Sequence, residues 1–145
     1  MASPNPLNGW IPPEPGSIKV NMDGALPDAS EVGSIACLCC DHNGTLLNGY
    51  AQNVQASSPL QTETLALLST LQFLLRQDFG NTHLILESDC LELVETVNHR
   101  KRPSQVCQSS LEHAATLLRE CPNFLLQHCR REANLAADWI AKAQG

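Results

Sequence analysis

What most restricts the fold of this chain is the order in which its hydrophobic repeat changes. A two-residue alternation is followed by an apolar run and a further alternating stretch. Helical repeats then alternate with short apolar runs to the end. In the first segment Ile18, Val20 and Met22 alternate with Lys19, Asn21 and Asp23, which predicts a strand over 18–23 ending in a turn at Gly24. Val32–Cys40 is a nearly continuous run of small apolar residues, Asp41-His42-Asn43-Gly44 supplies a hairpin turn, and Thr45–Val54 resumes as a strand. Ser58, Pro59 and Gln61 then start a helix with three devices at once: a serine cap, proline at the first helical position, and glutamine three residues after the cap. Leu67, Leu71, Leu74 and Leu75, broadened by Leu68, give this helix a wide apolar stripe, and Gly80 is expected to end it.

The second half reads in the same way. His83–Leu86 is short and apolar enough for a central strand, Ser88 or Asp89 can cap the next helix, and Leu91, Val94 and Val97 form its inner face. Pro103 interrupts a basic loop over 100–105, and Leu111, Ala114, Ala115 and Leu118 then recur at helical spacing. Pro122 blocks that helix, Phe124–Gln127 reads as a strand, and Asn134 can cap a last helix carried by Ala136, Trp139, Ile140 and Ala143. Strands joined through helices run parallel. The expected fold class is therefore α/β: a mixed five-stranded sheet, strands 1, 4 and 5 parallel, 2 and 3 antiparallel, with helices on both faces. Residues 1–16 are rich in proline and lack periodicity, so they read as an arm whose order depends on Trp10 docking; residues 17–145 form one domain.

Three acids fall where strand ends or helix starts are predicted: Asp23, Asp89 and Asp138. In an open sheet with parallel central strands, ligands bind beyond the carboxyl ends of those strands, so Asp23 and Asp89 can point at one spot. Glu63 lies near the start of a helix with apolar neighbours Leu65 to Leu68, where a carboxylate wants a cation. Taken singly, each has a plain alternative: Asp23 as a turn former, Asp89 as a helix cap, Asp138 as an acid complementing a helix N-terminus, Glu63 as a solvated residue at a helix edge. Together, four carboxylates brought to one end of one sheet are what a hard cation demands, since magnesium prefers oxygen ligands.

The turn Asp23-Gly24-Ala25, Glu63 within Gln61-Thr62-Glu63, the end Glu87-Ser88-Asp89 and the stretch His128 to Asp138 together resemble the type 1 ribonuclease H family. More narrowly, Trp10, Pro12 and Pro13 leading into Lys19, Asn21 and Asp23, with Arg131-Glu132-Ala133-Asn134 before Ala137-Asp138, resemble ribonuclease H-like domains of plant genomes related to retroelement reverse transcriptases. The resemblance covers nearly the whole chain from Trp10. It implies endonucleolytic hydrolysis of the RNA strand of RNA/DNA hybrids, with two Mg²⁺ ions (Mn²⁺ as a substitute) held by Asp23, Glu63, Asp89 and Asp138. It also implies that Asp23 is the shared ligand, and that His128, ten residues before Asp138, moves protons and assists product release. Asn21 and Gln61 are nominated as contacts to the nucleic acid. Three departures stand out: Leu26 to Glu31, with Pro27 and two acids, replaces a glycine-rich loop, Thr62 stands where alanine is frequent, and no long basic insertion is present.

The net charge of −6 opposes a phosphate backbone. Two bound divalent cations would bring the balance to about −2 and reverse the local sign. The basic residues are also clustered, Arg100-Lys101-Arg102 in one run and Arg130-Arg131 in another, so two phosphate-facing patches on an acidic body are expected. Two readings from other classes stay open: a non-catalytic nucleic-acid or protein interaction module that retains the fold, favoured by the acidic surface, and a metal-independent domain whose acids are caps and turn formers. Seven cysteines, including the neighbours Cys39 and Cys40, read as reduced and mostly buried. With neither a membrane-length apolar stretch nor a signal-peptide pattern, the expectation is an intracellular protein, cytoplasmic or nuclear, monomeric and without a small-molecule cofactor.

Overall fold

The structure is a computed structural model, and it describes residues 9–99 and 108–137. Asp138, the run Arg100-Lys101-Arg102, and Trp139, Ile140 and Ala143 of the last predicted helix lie outside the described residues. The elements are β1 (Ser17–Ala25), β2 (Val32–Cys40), β3 (Leu46–Gln55), α1 (Pro59–Arg76), β4 (His83–Ser88), α2 (Leu91–His99), α3 (Gln108–Glu120) and β5 (Phe124–His128), followed by a 3-10 turn at Arg131–Asn134. The sheet order is β3-β2-β1-β4-β5. β1 pairs antiparallel with β2, and β2 with β3, whereas β1–β4 and β4–β5 are parallel, as the predicted fold class requires.

Local signals account for most boundaries. Asp41 Oδ1 accepts from the amides of Asn43 and Thr45, both at 2.9 Å, and Gly44 takes φ 77°, which closes the β2–β3 hairpin. Ser58 caps α1 by accepting from the Gln61 amide at 3.1 Å, with Pro59 in the first turn, and Gln61 Oε1 reaches back to the Ser57 amide at 2.7 Å. Four expectations need correction. α1 ends at Arg76, where the Gln77 amide bonds back to Leu74 O, so Gly80 at φ 59° belongs to the loop beyond and not to the helix end. α2 begins at Leu91 and the Cys90 carbonyl accepts from Val94, so Cys90 holds the cap position; Ser88 Oγ only receives the Cys90 amide at 3.1 Å. Leu75 and Leu91 are 49% and 50% exposed because each sits one step off its helix's inner stripe, and Leu93 takes the buried place predicted for Leu91. Finally, β1 runs through Gly24, which pairs with Ile35, instead of turning there.

Val20 and Met22 of β1, Leu84 and Leu86 of β4, and Leu67 and Leu71 of α1 are buried in one core with Leu93, Leu111 and Leu126. α1 packs across β1 and β2, α2 against β4 and β5, and α3 against α1 and α2. The opposite face of β1 presents Lys19, Asn21 and Asp23, since successive side chains of a strand alternate. Trp10 and the turn at Arg131–Asn134 cover that face: the Trp10 indole donates to Asn21 Oδ1 at 2.9 Å, which docks the arm, and Asn134 donates to Met22 O at 2.8 Å. Asn134 is thus tied to β1. Among the described residues no helix is long and apolar enough to cross a membrane. Six cysteines are free thiols there, with Cys37, Cys39 and Cys129 buried.

Candidate metal centre

Three of the four predicted carboxylates converge. The parallel register ends with Asn21 opposite Glu87; Asp23 stands two residues further along β1 and Asp89 just past the end of β4, so both acids come to the same end of the sheet. Asp23 is 2% exposed, and Glu63 and Asp89 are half-buried. One oxygen from each of Asp23, Glu63 and Asp89 lies within 4.8 Å of the others.

Glu63 arrives from the opposite face of the sheet, and Gly24 is what admits it. A Cβ at Gly24 would lie 2.9 Å from the backbone and methyl of Thr62, so the first turn of α1 rests directly on the β1 backbone. In that position Glu63 Oε1 accepts from the Gly24 amide at 2.7 Å. Thr62, fully buried, bonds back to Ser58 O at 3.0 Å and fills the contact with its methyl, which gives the departure from alanine a packing role. Gly24→Ala is expected to destabilise the domain by about 1–3 kcal/mol through overpacking and to push Glu63 away from Asp23. Thermal melts, with loss of the Glu63-bonded Gly24 amide signal, would check it.

A cavity of about 390 Å³ opens over the three acids and is also lined by Leu26, Pro27 and Arg131. The loop that replaces the glycine-rich segment therefore forms one wall, and one of the two clustered arginines forms another. His128 is exposed at the end of β5, opposite Ser88, and with Arg130, Lys19 and Glu87 it lines a second cavity of about 700 Å³. Gln61 is engaged with Ser57 at the start of α1. Asn21 is 6% exposed, with its amide bonded to Trp10, Glu87 and Asn134, so it is an interior residue and not an exposed contact.

Sequence reasoning missed the group beneath the acids. Lys19 and Glu87 form a buried ion pair at 3.3 Å, Gln127 donates to Glu87 Oε2 at 2.6 Å, and the Lys19 ammonium lies 5.3 Å from the centre of the Trp10 ring. The signal available was a lysine alternating onto the same strand face as Asp23, where an inward lysine needs a partner. Two thiols register the negative charge. Burial, then the carboxylates of Glu63, Glu92 and Asp89, push Cys90 up from 9.0 to about 11. Burial, then Glu87 and Asp89 with Lys19 opposing, push Cys129 up to about 12. Raised thiol values mean that the folded state keeps protons the unfolded state gives up, so these groups stabilise fully below pH 9 and that contribution is lost as pH rises through 9 to 12. The metal-free protein is expected to lose melting temperature over that window, and both thiols to resist alkylation at pH 8 until it unfolds.

A family model described as reverse transcriptase-like matches residues 21–144. The chain belongs to the reverse transcriptase-like family. Solved structures place this member on the ribonuclease H fold. The LC11 ribonuclease H1 isolated from compost by a metagenomic approach superposes with a TM-score of 0.80 at 17% identity, over 89% of this chain and 95% of that one. The same protein in complex with an RNA/DNA hybrid gives 0.77 at 20% identity, over 88% and 95%. Ribonuclease H1 of the archaeon Halobacterium salinarum gives 0.72 at 17% identity, over 88% and 96%. A comparison with curated proteins finds no match. In this reverse transcriptase-like chain the matched segment contains β1 from Asn21, all three converging acids and His128.

Proposed function

We propose that this chain is an endonuclease that hydrolyses the RNA strand of RNA/DNA hybrids at the cluster of Asp23, Glu63 and Asp89. Asp138 is the fourth ligand in this reading, and two divalent cations, Mg²⁺ with Mn²⁺ as a substitute, are held among them. The observation that carries it is the convergence of three carboxylates from β1, α1 and the end of β4, with oxygens within 4.8 Å of one another. Like charges this close repel by roughly 4 kcal/mol per pair at 4 Å in an effective dielectric of 20, so the cluster calls for positive charge. An all-oxygen donor set open to a cavity fits a hard cation that also takes substrate phosphate.

Bound there, divalent cations would supply the Lewis acidity that activates water and stabilises the departing 3′ oxygen. The chain's own residues do the rest. Asp23, buried at the centre of the sheet's end, would be a ligand to the cations, and Glu63 is fixed by the Gly24 amide. His128, exposed beside the cluster's strand end, exchanges a proton with solvent and product. Arg131 in the cavity wall, Arg130 next to it, and the run Arg100-Lys101-Arg102 contact phosphates. Residues 17–145 form one domain in this reading, residues 1–16 precede it as an arm of which Trp10 docks on Asn21, and the protein works as a monomer inside the cell.

The test is incubation of an end-labelled RNA/DNA hybrid at low salt with Mg²⁺ or with a chelator, beside single-stranded RNA and duplex RNA. Cutting confined to the RNA strand of the hybrid, and only with metal, is expected. Binding of the hybrid without any cutting by folded, metal-supplied protein would instead establish the non-catalytic module that the charge of −6 favours.

A further inference from the structure

A hydrogen-bonded relay lies under the candidate metal centre, and it starts in the arm. The Trp10 indole N–H donates to Asn21 Oδ1 at 2.9 Å, and Asn21 Nδ2 donates to Asn134 Oδ1 at 3.0 Å and to Glu87 Oε1 at 3.3 Å. Asn134 Nδ2 then donates to the carbonyl of Met22 at 2.8 Å. Asn21 and Asn134 are 6% and 1% exposed, so the two amides are shielded from water.

Its direction is set by chemistry. An indole N–H only donates and a carboxylate only accepts, so Asn21 must turn its oxygen to Trp10 and its nitrogen to Glu87. With that nitrogen also facing Asn134, the second amide must present its oxygen to Asn21 and its nitrogen to Met22 O. Glu87 and Asn134 Oδ1 hold the Asn21 nitrogen, and Trp10 supplies the donor to its oxygen, so the three together fix the amide. Removal of the Trp10 N–H leaves a buried amide oxygen without its donor, which drives the Asn21 side chain to shift toward another one and disturbs its bonds to Glu87 and Asn134.

The relay also touches every segment that leads into a proposed ligand from this side. Asn21 stands two residues before Asp23 on the same face of β1, and Glu87 stands two residues before Asp89, which lies just past the end of β4. Met22 adjoins Asp23, and Asn134 precedes Asp138 by four residues in the chain. We propose that Trp10 is a positioning residue for the metal centre, acting through Asn21 and Asn134, so that docking of the arm sets cation affinity. This rests on the metal-centre reading above.

The decisive variant is Trp10→Phe, which keeps an aromatic ring near Lys19 and removes the indole N–H together with the pyrrole part of the ring system. Two readouts are needed: backbone amide spectra of the metal-free protein, and calorimetric titration with Mn²⁺. The amides of Asp23, Gly24 and Asp89 are expected to shift while Asn43 and Gly44 in the hairpin do not, and Mn²⁺ affinity is expected to fall about tenfold, the scale seen when residues behind metal ligands are removed. Asn134→Ser, which breaks the far end of the relay, should give the same signature, and it replaces the first variant should that one fail to fold. A lowered melting temperature with unmoved amides and unchanged Mn²⁺ affinity would overturn the proposal, leaving Trp10 a purely structural anchor. If the wild type binds no Mn²⁺, the functional reading falls, and the amide shifts alone still decide the relay.

Discussion

Asp89→Asn is expected to slow hybrid cleavage by at least about a hundredfold while the fold is retained. Changes to residues behind a metal ligand typically cost about 10–100-fold, and this change strikes a proposed ligand itself. Asparagine keeps the size and shape of the side chain and removes its charge, so the cluster of Asp23, Glu63 and residue 89 loses one unit of the field that holds a cation. The structural cost should be small, because the cap position of α2 belongs to Cys90 and the Cys90 amide is served by Ser88. Cleavage rates at saturating hybrid, with circular dichroism and a melt on the same preparation, check both halves. Loss of stability with activity intact would return Asp89 to a turn or cap role.

The largest effect on stability is expected from Glu87→Ala. Lys19 and Glu87 are 8% and 7% exposed at the side chain, and the carboxylate also accepts from Gln127 and Asn21. Truncation leaves the buried Lys19 ammonium without a counter-charge, with only the Ile11 carbonyl and the Trp10 ring beside it, and leaves two amides short of an acceptor. Breaking a buried pair in this way costs about 3–5 kcal/mol, a large part of the roughly 5–15 kcal/mol by which a domain of this size is stable. Replacing both residues by methionine should recover most of it, since the apolar pair carries no desolvation cost. Urea melts of the single and double variants measure the difference. A single variant within 1 kcal/mol of wild type would show that the pair is solvated in solution.

The succession of the five strands along the chain and their parallel or antiparallel sense were legible because period and connection type leave few arrangements. The β2–β3 hairpin and the start of α1 were legible because Asp41, Gly44, Ser58 and Pro59 act locally. Gly24 was read as a turn because Asp-Gly is a turn signal in a short window. Its real role, contact with Thr62 across 38 residues of chain, is visible only once α1 has docked. Leu75 and Leu91 were placed inside for a related reason: an apolar residue one step off a helical stripe looks the same in sequence as one on it. For the centre, sequence supplied the acids, and the register Asn21 to Glu87 supplied their meeting. The ion pair of Lys19 and Glu87 went unseen because its partners are 68 positions apart and carry no local pattern.

Glu63 is the member of the cluster whose place depends most on the fold, since it comes from a helix and its partners from strand ends. The measurement that tests the metal centre most directly is therefore Mn²⁺ binding, followed by electron paramagnetic resonance, in the wild type and in Glu63→Gln at equal concentration. Binding in the wild type that weakens at least about tenfold in the variant is the expected result. Equal binding by both proteins, or none by either, would contradict the assignment of Asp23, Glu63 and Asp89 as one metal centre.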